Sequence, residues 1–247
     1  MSKFVLSIIV ISFVATVQSV DLPEFLHVCK RNDPDIDNCI KSSVEHLRPY
    51  LVKGVPEYNL PSLEPLLLKE IVIAEGQGGI RIAGKNINAF GASDFTVASM
   101  KADMTNLIYK LDIVLPHLYV DGEYDVDGRI LLLPVTGSGR MTGNFTDCTG
   151  AVKFTGEIYK NDAGVEYLRV KDDFNLKITV HKGSLKLDNL FGGQKAIGEV
   201  INSAINSNFD AILRELKPLI EKALADVFLE VGNSIVSIFT YEQLFPL

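Results

Sequence analysis

Three kinds of chemistry could be built from the stretch CKRNDPDIDNC, residues 29–39: a metal site, a redox pair or a structural crosslink. Metal binding would need more ligands than the segment offers, because His27 is the one nearby imidazole and no second Cys or His pair stands at zinc spacing. The choice between redox centre and crosslink depends on the compartment. The first nineteen residues, MSKFVLSIIVISFVATVQS, place Lys3 before a mostly apolar run from Phe4 to Val17, and Val17-Gln18-Ser19 offers a cleavage point. That is the pattern of a secretory signal peptide over residues 1–19. A membrane anchor is the alternative, but Ser7, Ser12 and Thr16 interrupt a run already shorter than the roughly 20 residues a bilayer span needs. A secreted chain beginning near Val20 meets an oxidising environment in which Cys29 and Cys39 form a disulfide. Closing so short a loop stabilises by about 2–3 kcal/mol in the chain-entropy description. Cys148 is then left without a mate and is expected to be a buried apolar thiol.

Other motifs promise less. EYDVDG, residues 123–128, imitates the start of a calcium-binding loop, yet the twelfth position, where a bidentate Glu belongs, is Pro134. The acids read instead as the wet face of a strand. TGSGR at 136–140 lacks the Gly-x-Ser-x-Gly spacing of a nucleophile elbow and is expected to be a turn. Histidines 27, 46, 117 and 181 are scattered, with no His-Glu-x-x-His pair and no triad order. GQGG (76–79) and GGQK (192–195) lack phosphate-loop register and fit a loop and a helix start. No catalytic residue, metal or cofactor is expected. Asn144-Phe145-Thr146 is a glycosylation sequon that, if used, puts Asn144 on a loop or exposed turn.

The elements behind these residues are legible from periodicity. Asp33-Pro34 offers helix-start chemistry, and Ile36, Ile40, Val44, Leu47 and Leu51 then fall on one face. From Ile80 to Leu190 the period is two. Leu107, Tyr109, Leu111, Ile113 and Leu115 alternate with polar residues, as do Leu118, Val120, Tyr124, Val126, Ile130 and Leu132, and again Phe174, Leu176, Ile178 and Val180. Such alternation describes antiparallel strands wet on one face, and glycines at 122, 128, 137, 139 and 143 supply bends or bulges. After Gly193 apolar residues recur every three or four positions from Ile197 to Ile238, the pattern of a long amphipathic helix that Pro218 should kink or break. The expected fold is α+β: an elongated, highly curved antiparallel sheet wrapped around a long C-terminal helix, with a shorter N-terminal helix alongside. No linker divides residues 20–247, so one domain is expected. The whole chain carries 24 basic and 31 acidic residues; removing Lys3 with the leader gives 23 against 31, or −8, which disfavours nucleic acid and anionic bilayers.

Several segments in order, GVPEYNLPSLEPLLLKEI (54–71), GEYDVDGRILLLPVTGSGR (122–140), NLFGG (189–193), INSNFDAILRELKP (205–218) and the terminal YEQLFPL, together resemble the insect takeout and juvenile-hormone-binding family. The resemblance covers essentially the whole mature chain. It implies a tubular, TULIP-like lipid-binding fold in which the sheet wraps the helix around an apolar tunnel. Hormone-binding members have a second, later disulfide; Cys148 has no mate here, so the chain is similar to the takeout branch. Thr240 stands where the family tends to have proline.

With that resemblance, the expected function is secreted carriage of a small hydrophobic ligand, a terpenoid such as a juvenile hormone, a fatty acid or a related lipid. Each ligand methylene removed from water contributes roughly 0.8 kcal/mol. Candidate wall residues are Leu47 and Leu51 on the first helix, Tyr124, Val126, Ile130 and Leu132 on the strand, and Phe209, Ile212 and Leu216 on the long helix. Tyr124 could orient the ligand through its hydroxyl; plain core packing is the competing expectation for every one of them. The alternative function is a secreted interaction or signalling module with a filled interior that acts through a receptor or another secreted protein; a monomer is expected in either case. Neither reading calls for stable membrane insertion.

Overall fold

The computed structural model describes residues 21–76 and 79–247; the expected signal peptide over residues 1–19 and the centre of the 76–79 loop lie outside the described residues. Helix α1, Ile36–Lys53, begins two residues later than the sequence suggests. Asp33 does not cap it. Its carboxylate instead accepts the Asp35 N–H at 2.8 Å within the turn that contains Pro34. Cys39 lies in the first turn and is bonded to Cys29, which ties the N-terminal segment to the helix. The helix stops at Gly54, φ 72°, where a Cβ would lie 2.6 Å from the Ser62 nitrogen, so no other residue fits the return of the chain.

Seven antiparallel strands follow: β1 Leu66–Glu75, β2 Ile80–Phe90, β3 Thr96–Asp103, β4 Ile108–Ile130, β5 Leu133–Lys160, β6 Glu166–Val170 and β7 Asn175–Leu187. The β4–β5 hairpin is the spine. On one side β3 pairs with the first part of β4 and β2 with the second; on the other, β7 pairs with the middle of β5 and β6 with its end. TGSGR is strand, not turn: the reversal falls at Leu131–Leu132. Gly137 and Gly139 serve a different purpose from turning. A Cβ at either would press on the Asp188–Leu190 backbone at 2.7–3.0 Å, so their bareness lets that segment lie against β5.

Curvature has a visible origin. The inward face of β4 is odd-numbered through Leu115 and even-numbered from Leu118, and β7 changes phase after Val180, yet the pairing registers do not slip. Both changes fall on a crease formed by Pro116, Asp147 at φ 54° and His181, whose Nδ1 donates to the Asp147 carbonyl at 2.7 Å. Proline removes one ladder donor and a left-handed residue turns the neighbouring strand, so the three strands fold together along this line.

The C-terminal amphipathic stretch forms two helices, α2 Lys195–Ser207 and α3 Phe209–Val236. The break is at Asn208 rather than Pro218. Asn208 leaves helical geometry at φ −120° and ψ 23°, and its amide donates to the Ala204 carbonyl at 2.8 Å, as Asn does at helix ends. Pro218 is tolerated inside α3 because it and Arg214, the residue whose carbonyl it leaves without a donor, are exposed to water. A short helix α4, Tyr241–Leu244, opens with a capping box in which the Thr240 hydroxyl accepts the Gln243 N–H at 3.1 Å and the Gln243 side chain accepts the Thr240 N–H at 2.9 Å. Thr240, the departure from the family pattern, is therefore the N-cap.

Candidate functional site

Helix α3 contacts β1 on one sheet edge and β7 and β6 on the other, so it bridges the opening of the curled sheet. The two seams are chemically unlike. Along β7 and β6, side chains of the helices bond to strand backbone as another strand would. Asn202 exchanges two hydrogen bonds with Leu187 (2.9 and 2.9 Å), Asn206 two with Leu185 (2.8 and 2.8 Å) and Asn233 two with Val170 (2.7 and 3.1 Å). Four residues of helix rise about 6 Å and two residues of strand about 6.7 Å, so amides at i and i+4 meet successive strand residues whose N–H and C=O point off the sheet edge. Glu221 extends the row: its carboxylate accepts the Ile178 N–H and the Lys177 ammonium, both at 2.9 Å. Burial works to raise its pKa, but those two bonds and the charge of Lys217 outweigh burial and hold it below the ordinary value. At the β1 seam no side chain of α3 hydrogen-bonds the strand backbone among the described residues; Ala223 and Leu224 pack there with Ile71, Leu68 and Ile73.

Besides the small β1-seam cluster of Ile71, Ile87 and Ala223, apolar packing concentrates in two larger clusters. One cluster joins Tyr124, Val126, Ile130, Val135 and Leu190 to Ile201, Ile205 and Ile212, with Leu133 and Leu216 against it. It plugs the end where the β4–β5 hairpin folds over α2 and α3. A second cluster surrounds Phe95, Val97, Met100 and Tyr109, with Ile40, Val44 and Leu51 of α1 and Phe245 of the tail packed on it. Arg31, beside the disulfide, holds this tail: its Nε donates to the Phe245 carbonyl at 2.8 Å, it pairs with Glu242, and its guanidinium lies 4.7 Å from the Tyr241 ring centre. Between these two clusters, the α3 residues Ile220, Val227 and Val231 and the inward residues Phe145, Ile178 and Val180 stay half-buried, as do Leu224 against the β1-seam cluster and Ile113 and Leu115 on the edge of the second cluster. Among the large described side chains, only Val135 and Leu190 are less than 2% exposed. A close-packed interior would seal such residues completely.

The candidate residues of the sequence therefore divide. Tyr124, Val126, Ile130, Ile212 and Leu216 come together, but in the plug, packed on one another. The Tyr124 hydroxyl spends its proton on the Asp188 carbonyl at 2.6 Å; burial, then the charges of Asp188 and Asp125, push its pKa up to about 12. Phe209 sits beside Phe145, ring centres 6.1 Å apart, and Leu51 belongs to the opposite end, as does half-buried Leu47 on the same helix. Leu132 is a correction: expected on the dry face, it is 92% exposed, because the alternation ends where the hairpin turns. The half-buried mid-sheet residues escaped selection, although the recurrence of Ile220, Leu224, Val227 and Val231 was the available signal.

Cys29 and Cys39 are disulfide-bonded, whereas Cys148 is a buried free thiol whose pKa burial raises. Asn144 lies exposed in β5, on a strand rather than the loop its sequon suggests, and its Oδ1 is 3.3 Å from His117 Nε2. A recess of about 670 Å³ opens on the outer face among Lys85, Asn88, Asp121, Glu123, Ser138 and Arg140. Charged side chains rim it, among them Arg140 bonded to both Asp121 oxygens at 2.8 and 2.5 Å.

Comparison with known proteins agrees with this architecture. The fold superimposes on the crystal structure of Takeout 1 from Epiphyas postvittana with a TM-score of 0.73, over 90% of this chain and all of that one, at 22% identity. Circadian clock-controlled protein daywake of Drosophila melanogaster is 26% identical over 232 residues, 90% of this chain and 88% of that protein. A candidate beta-carotene-binding protein of Schistocerca gregaria is 24% identical over 222 residues, 87% and 86% of the two chains. Residues 7–246 match the haemolymph juvenile hormone binding protein family, and the chain belongs to it.

Proposed function

We propose that this protein is a secreted carrier that holds one small hydrophobic molecule, a terpenoid, fatty acid or related lipid, between the middle of α3 and the sheet, with residues 20–247 acting as a single unit. The observation that carries the reading is the half-buried apolar stripe of α3, Ile220 to Val231, lying between two well-packed ends. Its incomplete burial is free energy that a guest can recover, at roughly 25 cal/mol for each Å² of apolar surface removed from water. Family membership and the description of the Schistocerca relative support the same reading. Carriage involves no bond-making step. Ser138, the serine of the TGSGR motif, is exposed on β5 and its carbonyl is engaged by Asn189 at 2.8 Å. Secretion with a glycan on Asn144 completes the proposal, supported by the leader sequence and the exposed outer-face position.

Organic extraction of purified protein followed by mass spectrometry tests it. A stoichiometric apolar compound, displaced by a fluorescent fatty acid, is the expected result. Recovery of no compound together with no uptake of the probe assigns the protein instead to the interaction role.

A further inference from the structure

The β4–β5 reversal is built from the wrong residues for a hairpin. Two-residue hairpin turns that need positive φ are supplied by Asn-Gly or Asp-Gly, because a bulky side chain resists that backbone and water resists an apolar one. Here the turn is Leu131–Leu132. Leu131 adopts φ 55° and is 48% exposed, and Leu132 is 92% exposed. The turn is nevertheless fixed: the Leu131 N–H donates to the Glu215 carboxylate of α3 at 2.9 Å, and the flanking Ile130 and Leu133 enter the plug. A local rule broken at a held position, with no gain inside the fold, indicates a task outside it.

We propose that the Leu131–Leu132 tip is a membrane-contact wedge, inserted reversibly into the surface of a zwitterionic lipid bilayer when the carrier takes up or releases its ligand. A protruding pair of leucines presents only a small part of the roughly 800 Å² per partner that a stable protein interface buries, and it offers no groove for shape to recognise. A bilayer interface accepts such a wedge without shape complementarity. The charges beside the tip alternate, Asp127 with Arg129 on β4 and Arg214 with Glu215 on α3, and the chain as a whole is acidic. Attraction to anionic headgroups is therefore not the driving force, and contact should depend little on salt. The wedge also sits on the plug, so the membrane is brought to one end of the apolar interior.

The proposal rests on the carrier reading, and transfer kinetics separate the two. Purified protein loaded with an anthroyloxy-labelled fatty acid is mixed in stopped flow with phosphatidylcholine vesicles containing a quencher. Wedge contact makes the transfer rate rise in proportion to vesicle concentration, and Leu132→Asn lowers that slope at least five-fold with probe affinity and melting temperature unchanged. A rate independent of vesicle concentration, or an unchanged slope in L132N and in the turn-favouring double variant L131N/L132G, overturns the wedge. If the wild type takes up no probe, the carrier reading fails instead, and flotation of unloaded protein with the same vesicles decides the wedge: flotation lost in L132N supports it, and no flotation overturns it. Loss of self-association in L132N, with flotation unchanged, assigns the tip to a second copy of the chain and also overturns the proposal.

Discussion

Asn202→Leu is the sharpest probe of how the helices are held on the sheet. The asparagine side chain receives the Leu187 N–H and donates to the Leu187 and Gly198 carbonyls at 2.9, 2.9 and 3.1 Å. Each neutral bond contributes about 1 kcal/mol net, and an edge amide or carbonyl left unpaired beneath the helix costs roughly 1–3 kcal/mol. Leucine would bury more apolar surface, an offset of about 1–2 kcal/mol. The balance is a loss of about 2–3 kcal/mol, or roughly 4–12 °C in Tm for a chain of this size. Asn202→Ala leaves room for water to reach the strand edge, so it should cost less than the leucine variant. The order Leu below Ala is the discriminating result, since hydrophobic packing alone predicts the reverse. Thermal unfolding by circular dichroism gives the order, and amide hydrogen exchange at Leu187 gives the cause, with protection lost in the leucine variant. An unchanged Leu187 exchange rate together with a Tm within 1 °C of wild type would refute the reasoning.

Acid should loosen the same seam. Glu221 has a folded pKa below its ordinary 4.5, so the stability it contributes is fully present above that value and is lost as pH falls through the folded one. Glu221→Gln should therefore lower Tm at pH 6 to 7 and approach wild type as pH falls below 4.5 and through the folded value; parallel curves across that range would exclude the carboxylate as the cause. Tyr124→Phe removes the 2.6 Å bond to Asp188 and should cost about 1 kcal/mol in urea unfolding while leaving fatty-acid affinity unchanged, and a large affinity loss would return the hydroxyl to the ligand. Arg31→Ala should release the C-terminal tail, seen as faster exchange of the Arg31 amide, which is bonded to the Pro246 carbonyl at 2.8 Å, and as earlier proteolysis after Tyr241. Ala223→Trp at the apolar β1 seam should reduce probe uptake more than stability, and equal losses would mean that the seam is plain core.

The elements were legible wherever one face of the chain meets water over a long run. The alternation of β4 and β7 even recorded the crease, because side chains switch faces at Pro116 and after Val180. Two local features misled. Pro218 signals a break, but an exposed proline can remain in a helix held by contacts on its other face, while Asn208 carried the weaker composition signal and the actual break. Gly-Ser-Gly signals a turn, yet the glycines were needed for the approach of a distant backbone segment, which no neighbouring residue announces. For the site, the strand residues chosen from their family-like motif fell in the plug, since periodicity gives the face of a side chain but not its position along a tube.

By itself the sequence determined the alternating and helical segments, the crosslink between Cys29 and Cys39, the acidic surface and the family, because each depends on nearest neighbours, on spacing of a few residues or on ordered motifs. Tertiary structure alone decided which apolar side chains pack and which stay half-buried, that Asn202, Asn206 and Asn233 complete a sheet edge, and that two leucines stand in water at the hairpin tip. Those outcomes depend on where segments far apart in the chain meet once the sheet has curled. A pattern of local preferences does not carry that distance.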